Sequence, residues 1–239
     1  MTDRRLSRRD LFRLGLVAAP ASLAAACGWD GGKILAPRLR AFSGLNDWVG
    51  EKLVSPHRLA PQYPVALRTA AQNFPAYAQS NPLPVPDEGE DWALEVAGLV
   101  AKPQQLTLAM LQALPAVTYT VKHHCVEGWT AIATWTGVPL QTVVAMAEPK
   151  PEARYLRFDT FDNGYYNGWD LTSAMHPQTL LAYAWNDRPL TPAHGAPLRL
   201  YSPQKLGYKL TKYLTGISFT ADRPGGFWED QGYPWLGGI

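Results

Sequence analysis

Hydrophobic and polar positions alternate most clearly over 117–121, where Val117, Tyr119 and Val121 share one face and Thr118 and Thr120 the other. A period of two marks a half-buried strand. Trp92, Leu94 and Val96 alternate in the same way and predict a strand ending at Gly98. Further strands are predicted over 155–158, 180–185, 198–201 and 213–219, with Asn186-Asp187 as a turn between two of them. Short helices are predicted over 108–114, stopped by Pro115, and over 139–147, which carries proline in its first turn. A third is predicted over 46–54, capped by Asn46, with Trp48, Val49 and Leu53 on its apolar face. Helices and strands follow one another without a strand-helix-strand repeat. The expected fold is therefore α+β, a single mixed-sheet domain over 61–239, preceded by a Gly- and Pro-punctuated linker or wrapping arm over 28–60.

Composition agrees with one sizeable core: 239 residues, 46% hydrophobic and 18% charged. This excludes a disordered chain, and no stretch is long and apolar enough to span a bilayer. The formal charge of +2 hints at an anionic partner, but it sits in the wrong place. Arg4, Arg5, Arg8, Arg9 and Arg13 precede thirteen uncharged residues, 14–26, which end in Ala24-Ala25-Ala26. A basic segment, an apolar run and a small-residue cleavage site form an export signal over 1–27; a basic amphipathic helix is the alternative. Ser7-Arg8-Arg9-Asp10-Leu11-Phe12 resembles the twin-arginine signal read by the twin-arginine export machinery, so a periplasmic location is expected. Cleavage removes five of 22 basic and two of 20 acidic residues, leaving 17 against 18. The basic excess disappears, and nucleic acid is not expected as a partner.

Two cysteines remain to be explained. Cys27 follows the alanine run, where a lipoprotein would carry its acyl chains and tether the domain to a membrane surface; plain cleavage nearby is the simpler alternative. A Cys27–Cys125 disulfide is disfavoured, because Cys27 lies in a processed tail. Cys125 closes the strongest predicted strand, in His123-His124-Cys125-Val126-Glu127-Gly128-Trp129. It can be a buried structural thiol, a nucleophile served by one of two histidines that point to opposite faces, or a thiolate metal ligand. Zinc is poorly supported by five histidines with no paired Cys/His spacing, and c-type haem attachment lacks its motif.

Cys125-Val126-Glu127-Gly128-Trp129, followed by Trp135-Thr136-Gly137-Val138-Pro139-Leu140, resembles the core signature of the sulfite oxidase-type molybdopterin oxidoreductases. Within them the likeness is to the exported bacterial branch that reduces methionine sulfoxide. It continues through Asn73-Phe74, the run from Glu95 to Pro103, Met175-His176-Pro177, His194-Gly195-Ala196-Pro197-Leu198-Arg199, Gly207-Tyr208-Lys209-Leu210-Thr211-Lys212 and Gly226-Phe227-Trp228-Glu229. The resemblance implies an enzyme with a molybdenum-molybdopterin cofactor and two-electron oxygen-atom transfer. It implies Cys125 as both catalytic residue and metal ligand. Asn73, the backbone at Ala76 and Tyr77, and Thr160 would contact the pterin. His194 and Arg199 would hold its polar edge and phosphate, with Lys209, Leu210, Thr211 and Lys212 completing an anion cradle. The residue types fit, since phosphate favours an arginine fork, lysine charges and backbone N–H groups. Without the resemblance, the same cations would read as a solvated basic edge.

Two departures bear on the substrate. The position of His194 is typically asparagine in the sulfoxide-reducing branch and histidine in sulfite oxidases. The stretch 126–135 holds Glu127 and no cation, whereas anionic sulfite needs one unless Arg154, Arg157 or Arg188 folds in. A neutral sulfoxide, free or within a protein, is therefore the expected substrate. Sulfite oxidation and a metal-free, non-catalytic binding domain stand as alternatives. With no haem segment in the sequence, electrons are expected from a membrane-bound haem- or quinone-linked subunit or a soluble cytochrome. The aromatic tail with Phe227, Trp228, Tyr233 and Trp235 would dock such a partner or pack over the core.

Overall fold

The structure, a computed structural model, describes residues 58–86 and 92–239. The export signal, Cys27, most of the arm and the helix expected over 46–54 lie outside those residues. Among the described residues no helix is long and apolar enough to cross a membrane.

Among the described residues ten strands build two sheets. The first runs in the order β2 (Gln104–Thr107), β1 (Ala93–Gly98), β10 (Leu214–Thr220), β5 (Tyr155–Thr160) and β6 (Tyr166–Asp170). All its neighbours are antiparallel except β1 and β10, which run parallel with Glu95 opposite Gly216. The second follows β3 (Val117–His124), β4 (Thr130–Pro139), β7 (Leu180–Trp185) and β8 (Arg188–Pro189), and β9 (Arg199–Tyr201) also pairs with β7. Three short helices connect them: α1 (Leu108–Gln112), α2 (Leu140–Ala147) and α3 (Leu171–Ala174). The mixed α+β architecture expected from the sequence is the one observed.

Local chemistry explains the helices. Thr107 caps α1 by accepting from the Met110 amide at 3.2 Å, and Asp170 caps α3 by accepting from Ser173 at 2.7 Å. Leu140, Val143, Val144 and Ala147 form the buried stripe of α2, which stops where Glu148 turns left-handed at φ 51°. The Asn186-Asp187 turn is also left-handed at both residues, at φ 49° and 65°, as a two-residue hairpin requires. It returns the chain into the two-residue β8 rather than into the 198–201 strand.

β4 was not expected from the sequence. It lies between β3 and β7 with both faces largely covered, which erases the alternation that identified β3. β2 has four residues, and β6 is interrupted by Gly168, so neither carries a clear period. The fold matters for function because of what ends together. The end of β3, the loop after β5, the start of β9 and the residues just before β10 line one cavity. Main-chain bonds from Leu200 to Thr211, Leu214 to Leu198 and Phe161 to Tyr213 fasten them (2.7–3.2 Å).

Gly137 is the tightest crossing in this framework. A Cβ there would lie 2.2 Å from the Leu181 carbonyl oxygen and 2.6 Å from Ala182 Cα, where β4 shifts register against β7. Neither atom belongs to a side chain that could swing away. Gly137→Ala is therefore expected to cost about 1–3 kcal/mol. Urea unfolding would show this as a lower midpoint at unchanged slope.

Candidate active site

The cavity at this junction has a volume of about 290 Å³. Cys125 reaches it from the turn after β3, where its amide donates to the Trp129 carbonyl (3.0 Å) and Gly128 donates back to Cys125 (3.1 Å). Its Sγ lies 3.6 Å from Glu127 Oε2, which also accepts from Trp129 Nε1 at 2.9 Å. Burial pushes the Cys125 thiol up from its ordinary range, and the Glu127 charge adds to this. Such a thiol resists ionisation unless a cation replaces its proton. That disfavours a free nucleophile and leaves a structural thiol or a metal ligand.

Of the two candidate histidine bases, His123 faces the cavity and His124 does not line it. Buried His123 stacks on Trp129 at 5.4 Å and is pushed down to about 3 by desolvation and the nearby cations. His194 is buried beside Trp185, with ring centroids 4.0 Å apart, and burial followed by Arg199 and Lys212 lowers it to about 4. Both rings are neutral at neutral pH. They offer hydrogen-bonding edges without adding charge beside Arg199.

Arg199 is fully desolvated yet has no carboxylate partner among the described residues. Its two terminal nitrogens donate to the carbonyls of His194 (3.0 Å) and Leu210 (3.1 Å), while Nε is buried without a partner. Burial lowers its pKa to about 10. Lys212 sits across the cavity in a similar condition. Its ammonium donates to the carbonyls of Tyr77 and Ala193, both at 2.6 Å, and desolvation followed by Arg199 lowers it to about 7. Two cations held by carbonyls alone are costly unless an anion completes them. The amides of Ala76, Tyr77 and Ala78, on the cavity wall, have no protein acceptor either. Cations, free N–H groups and a thiol in one cavity fit a phosphate-bearing pterin dithiolene.

Comparison with known proteins agrees. The profile of the oxidoreductase molybdopterin-binding domain matches residues 82–228. The chain belongs to that family. It is similar to a candidate protein-methionine-sulfoxide reductase subunit of Azospira oryzae, with 37% identity over 232 residues covering 97% of this chain and 88% of the relative. It is also similar to the protein-methionine-sulfoxide reductase catalytic subunit of Campylobacter jejuni, at 28% identity over 93% and 76% of the two chains. Among solved structures, the sulfane dehydrogenase SoxCD of Paracoccus pantotrophus shares the fold at a TM-score of 0.54 and 24% identity. That match spans 58% of this chain and 40% of the other.

In this molybdopterin-binding oxidoreductase, the structure brings Cys125, Ala76, Tyr77, His194, Arg199, Leu210 and Lys212 to one cavity. Four other expected site residues lie elsewhere. Lys209 is fully buried with its ammonium turned to the Glu229 carboxylate, the Gly168 carbonyl (2.8 Å) and the face of Trp235, so it does not serve the cradle. Thr211 is buried and bonds back to the Lys209 carbonyl. Asn73 is exposed and does not line the cavity, but it delivers the next residue, Phe74, to the cavity floor. Thr160 acts one step removed: its hydroxyl donates to the Tyr165 carbonyl (2.8 Å) and accepts from the Asp162 amide (3.1 Å), shaping the loop that presents both residues.

Asp162 and Tyr165 line the cavity and carried no sequence signal of their own, and Trp228 and Tyr233 of the aromatic tail line it as well. The aromatic tail is thus divided, Trp228 and Tyr233 forming wall and Trp235 packing into the core. Arg154, Arg157 and Arg188 do not line the cavity; Arg157 pairs with Asp159 at 2.7 Å and covers Tyr166 instead.

The two buried cation types predict opposite phenotypes. Lys209→Ala strands the Glu229 carboxylate in the core and is expected to cost about 3–5 kcal/mol in denaturant unfolding. Arg199→Leu removes a charge that has no counter-ion, so it costs the cofactor-free chain much less but abolishes retention of the pterin, read by its fluorescence after release. The histidines set a pH dependence. Their folded pKa values lie below the unfolded value of about 6.5, so the unfolded chain binds protons that the native chain refuses. Stability of the cofactor-free protein is expected to fall as pH drops from about 6.5 towards 4. His194→Gln should flatten that slope by as much as one proton.

Proposed function

We propose that the protein is an exported molybdenum-molybdopterin oxidoreductase that reduces a sulfoxide, free methionine sulfoxide or its residue in a protein. The observation carrying this reading is the meeting, in one cavity, of the Cys125 thiol with two desolvated cations, Arg199 and Lys212, that make no ion pair among the described residues. Two relatives named for protein-methionine-sulfoxide reduction support the substrate class.

Cys125 Sγ would hold the metal, and Arg199, Lys212 and the free amides of 76–78 would hold the phosphate and pterin edge. Bound there, the group would supply reversible oxygen-atom transfer coupled to a two-electron change at the metal. This chain's own residues set access and charge. Glu127, 3.6 Å from the thiol, places a carboxylate where an incoming anion would arrive, and Arg154, Arg157 and Arg188 do not offset it. A neutral sulfoxide avoids that repulsion, which sulfite would meet. His123, held neutral against Trp129, is positioned to share a proton-bearing edge with a substrate oxygen without charging the site.

The Arg8-Arg9 signal supports twin-arginine export and a periplasmic location, with Cys27 as a possible lipid tether. A route that carries folded proteins suits a cofactor inserted before export. Electrons would come from a membrane-bound haem- or quinone-linked subunit or a soluble cytochrome.

The test is metal analysis of protein exported by a molybdenum-replete host, together with assays using reduced viologen and methionine sulfoxide or using sulfite and an acceptor dye. Stoichiometric molybdenum and sulfoxide reduction, both lost in Cys125→Ala, are expected. Turnover of sulfite alone would overturn the substrate, and a folded, metal-free wild type would overturn the enzyme.

A further inference from the structure

One cavity wall belongs to neither sheet. Residues 74–80 cross from the floor to the rim, fixed at both ends and loosely held between. At the floor, Phe74 is buried among His123, Trp129, Trp135, Trp185 and His194, with ring centroids 5.3–6.1 Å away. At the rim, one carboxylate collects three bonds. Asp162 Oδ2 accepts from the Gln79 amide (2.9 Å), and Oδ1 accepts from the Ser80 amide (2.9 Å) and hydroxyl (2.6 Å). Between these anchors the amides of Ala76, Tyr77 and Ala78 have no protein acceptor. In that stretch the Lys212 ammonium donates to the Tyr77 carbonyl (2.6 Å), the Tyr77 hydroxyl donates to Gln79 Oε1 within the segment (3.0 Å), and the Tyr77 ring meets Trp228 at 6.1 Å.

We infer that residues 74–80 are a strap over the cofactor cavity, that Asp162 is its latch, and that Asp162 is a positioning residue for pterin retention. Phe74 is the fixed end, because withdrawing it would open the aromatic cluster. The rim is the releasable end, because Gln79 is exposed and Ser80 half-buried, so their N–H groups can turn to water, while the cost of leaving the buried Asp162 carboxylate short of donors keeps the latch closed. Releasing Asp162 frees Gln79 and Ser80, and Tyr77 then swings with them. Re-forming the three bonds returns the amides of 76–78 to the cavity, where a bound pterin would give them acceptors. Asp162 is buried, lines the cavity and is set by the Thr160 hydroxyl on its own amide. The latch therefore joins the β5 end, which the sheet fixes, to a segment that the sheet does not.

The inference rests on the cavity being the pterin site, so its test uses two readouts. Asp162→Asn keeps size and shape but places an NH2 donor where one strap amide also donates, breaking a charge-assisted bond. Ser80→Ala, outside the cavity, removes the hydroxyl's bond to Asp162 and its weaker acceptance from the Asn163 amide (3.3 Å), and serves if Asp162→Asn fails to fold. Hydrogen exchange on the purified full chain is read at the Gln79 and Ser80 amides and at core amides of β4. Pterin release is followed by fluorescence. Asp162→Asn is expected to speed strap exchange and pterin release together, on the order of tenfold or more, with core exchange nearly unchanged. Ser80→Ala should do the same to a smaller degree. Strap exchange unchanged in both variants, or core exchange rising equally with it, would overturn the latch. Faster strap exchange without faster pterin release would overturn the positioning role. A wild type that carries no pterin would instead overturn the cofactor reading and leave the exchange result to decide the latch.

Discussion

A guanidinium that is buried without a counter-ion is the constraint around which this site is organised. Arg199 opens β9 inside the second sheet, lies over the Trp135 face at 4.8 Å and finds only carbonyl oxygens from the protein. Carbonyls orient the charge without neutralising it, so the fold carries an electrostatic debt that an anion can discharge. Much else follows from that placement. His194 and His123 stay neutral chiefly because they are buried, with the cation adding to the effect, and burial followed by Arg199 likewise takes much of the basicity of Lys212. The cavity is positive where a phosphate would lie and acidic at Glu127 beside the thiol.

Lys209 shows the contrast within the same segment. It is as buried as Arg199, but Glu229 supplies its counter-charge, and the pair clamps the C-terminal residues onto the domain. Two residues separate Lys209 from Lys212 in sequence, and their side chains do different jobs. One is a closed structural pair; the other is an open site.

This division marks the limit of what the sequence could reveal. Strands with one wet face, such as β3, announce themselves by alternation, whereas β4 is covered on both faces and does not. Cys125 was legible through its position at a strand end, and Arg199, His194 and Lys212 through an ordered series of motifs. The direction of the Lys209 side chain was not legible, because a motif fixes the order of side chains and not which way each leaves the backbone. Its partner, Glu229, lies twenty residues away, and nothing local joins the two. Asp162 was invisible for a related reason: its role lies in accepting backbone N–H groups from residues 79 and 80, and any acceptor at that place would read alike.

The parallel pairing of β1 with β10 has a consequence for the order of events in the cell. Glu95 faces Gly216, so the middle of the first sheet joins segments more than a hundred residues apart. Contacts of such long range form late, after the chain has closed a large loop. β10 and the residues carrying Trp228 and Tyr233 are made well after β1, and the cavity walls exist together only once both are present. A pterin would therefore find a complete site only in a chain whose β1 and β10 have already paired.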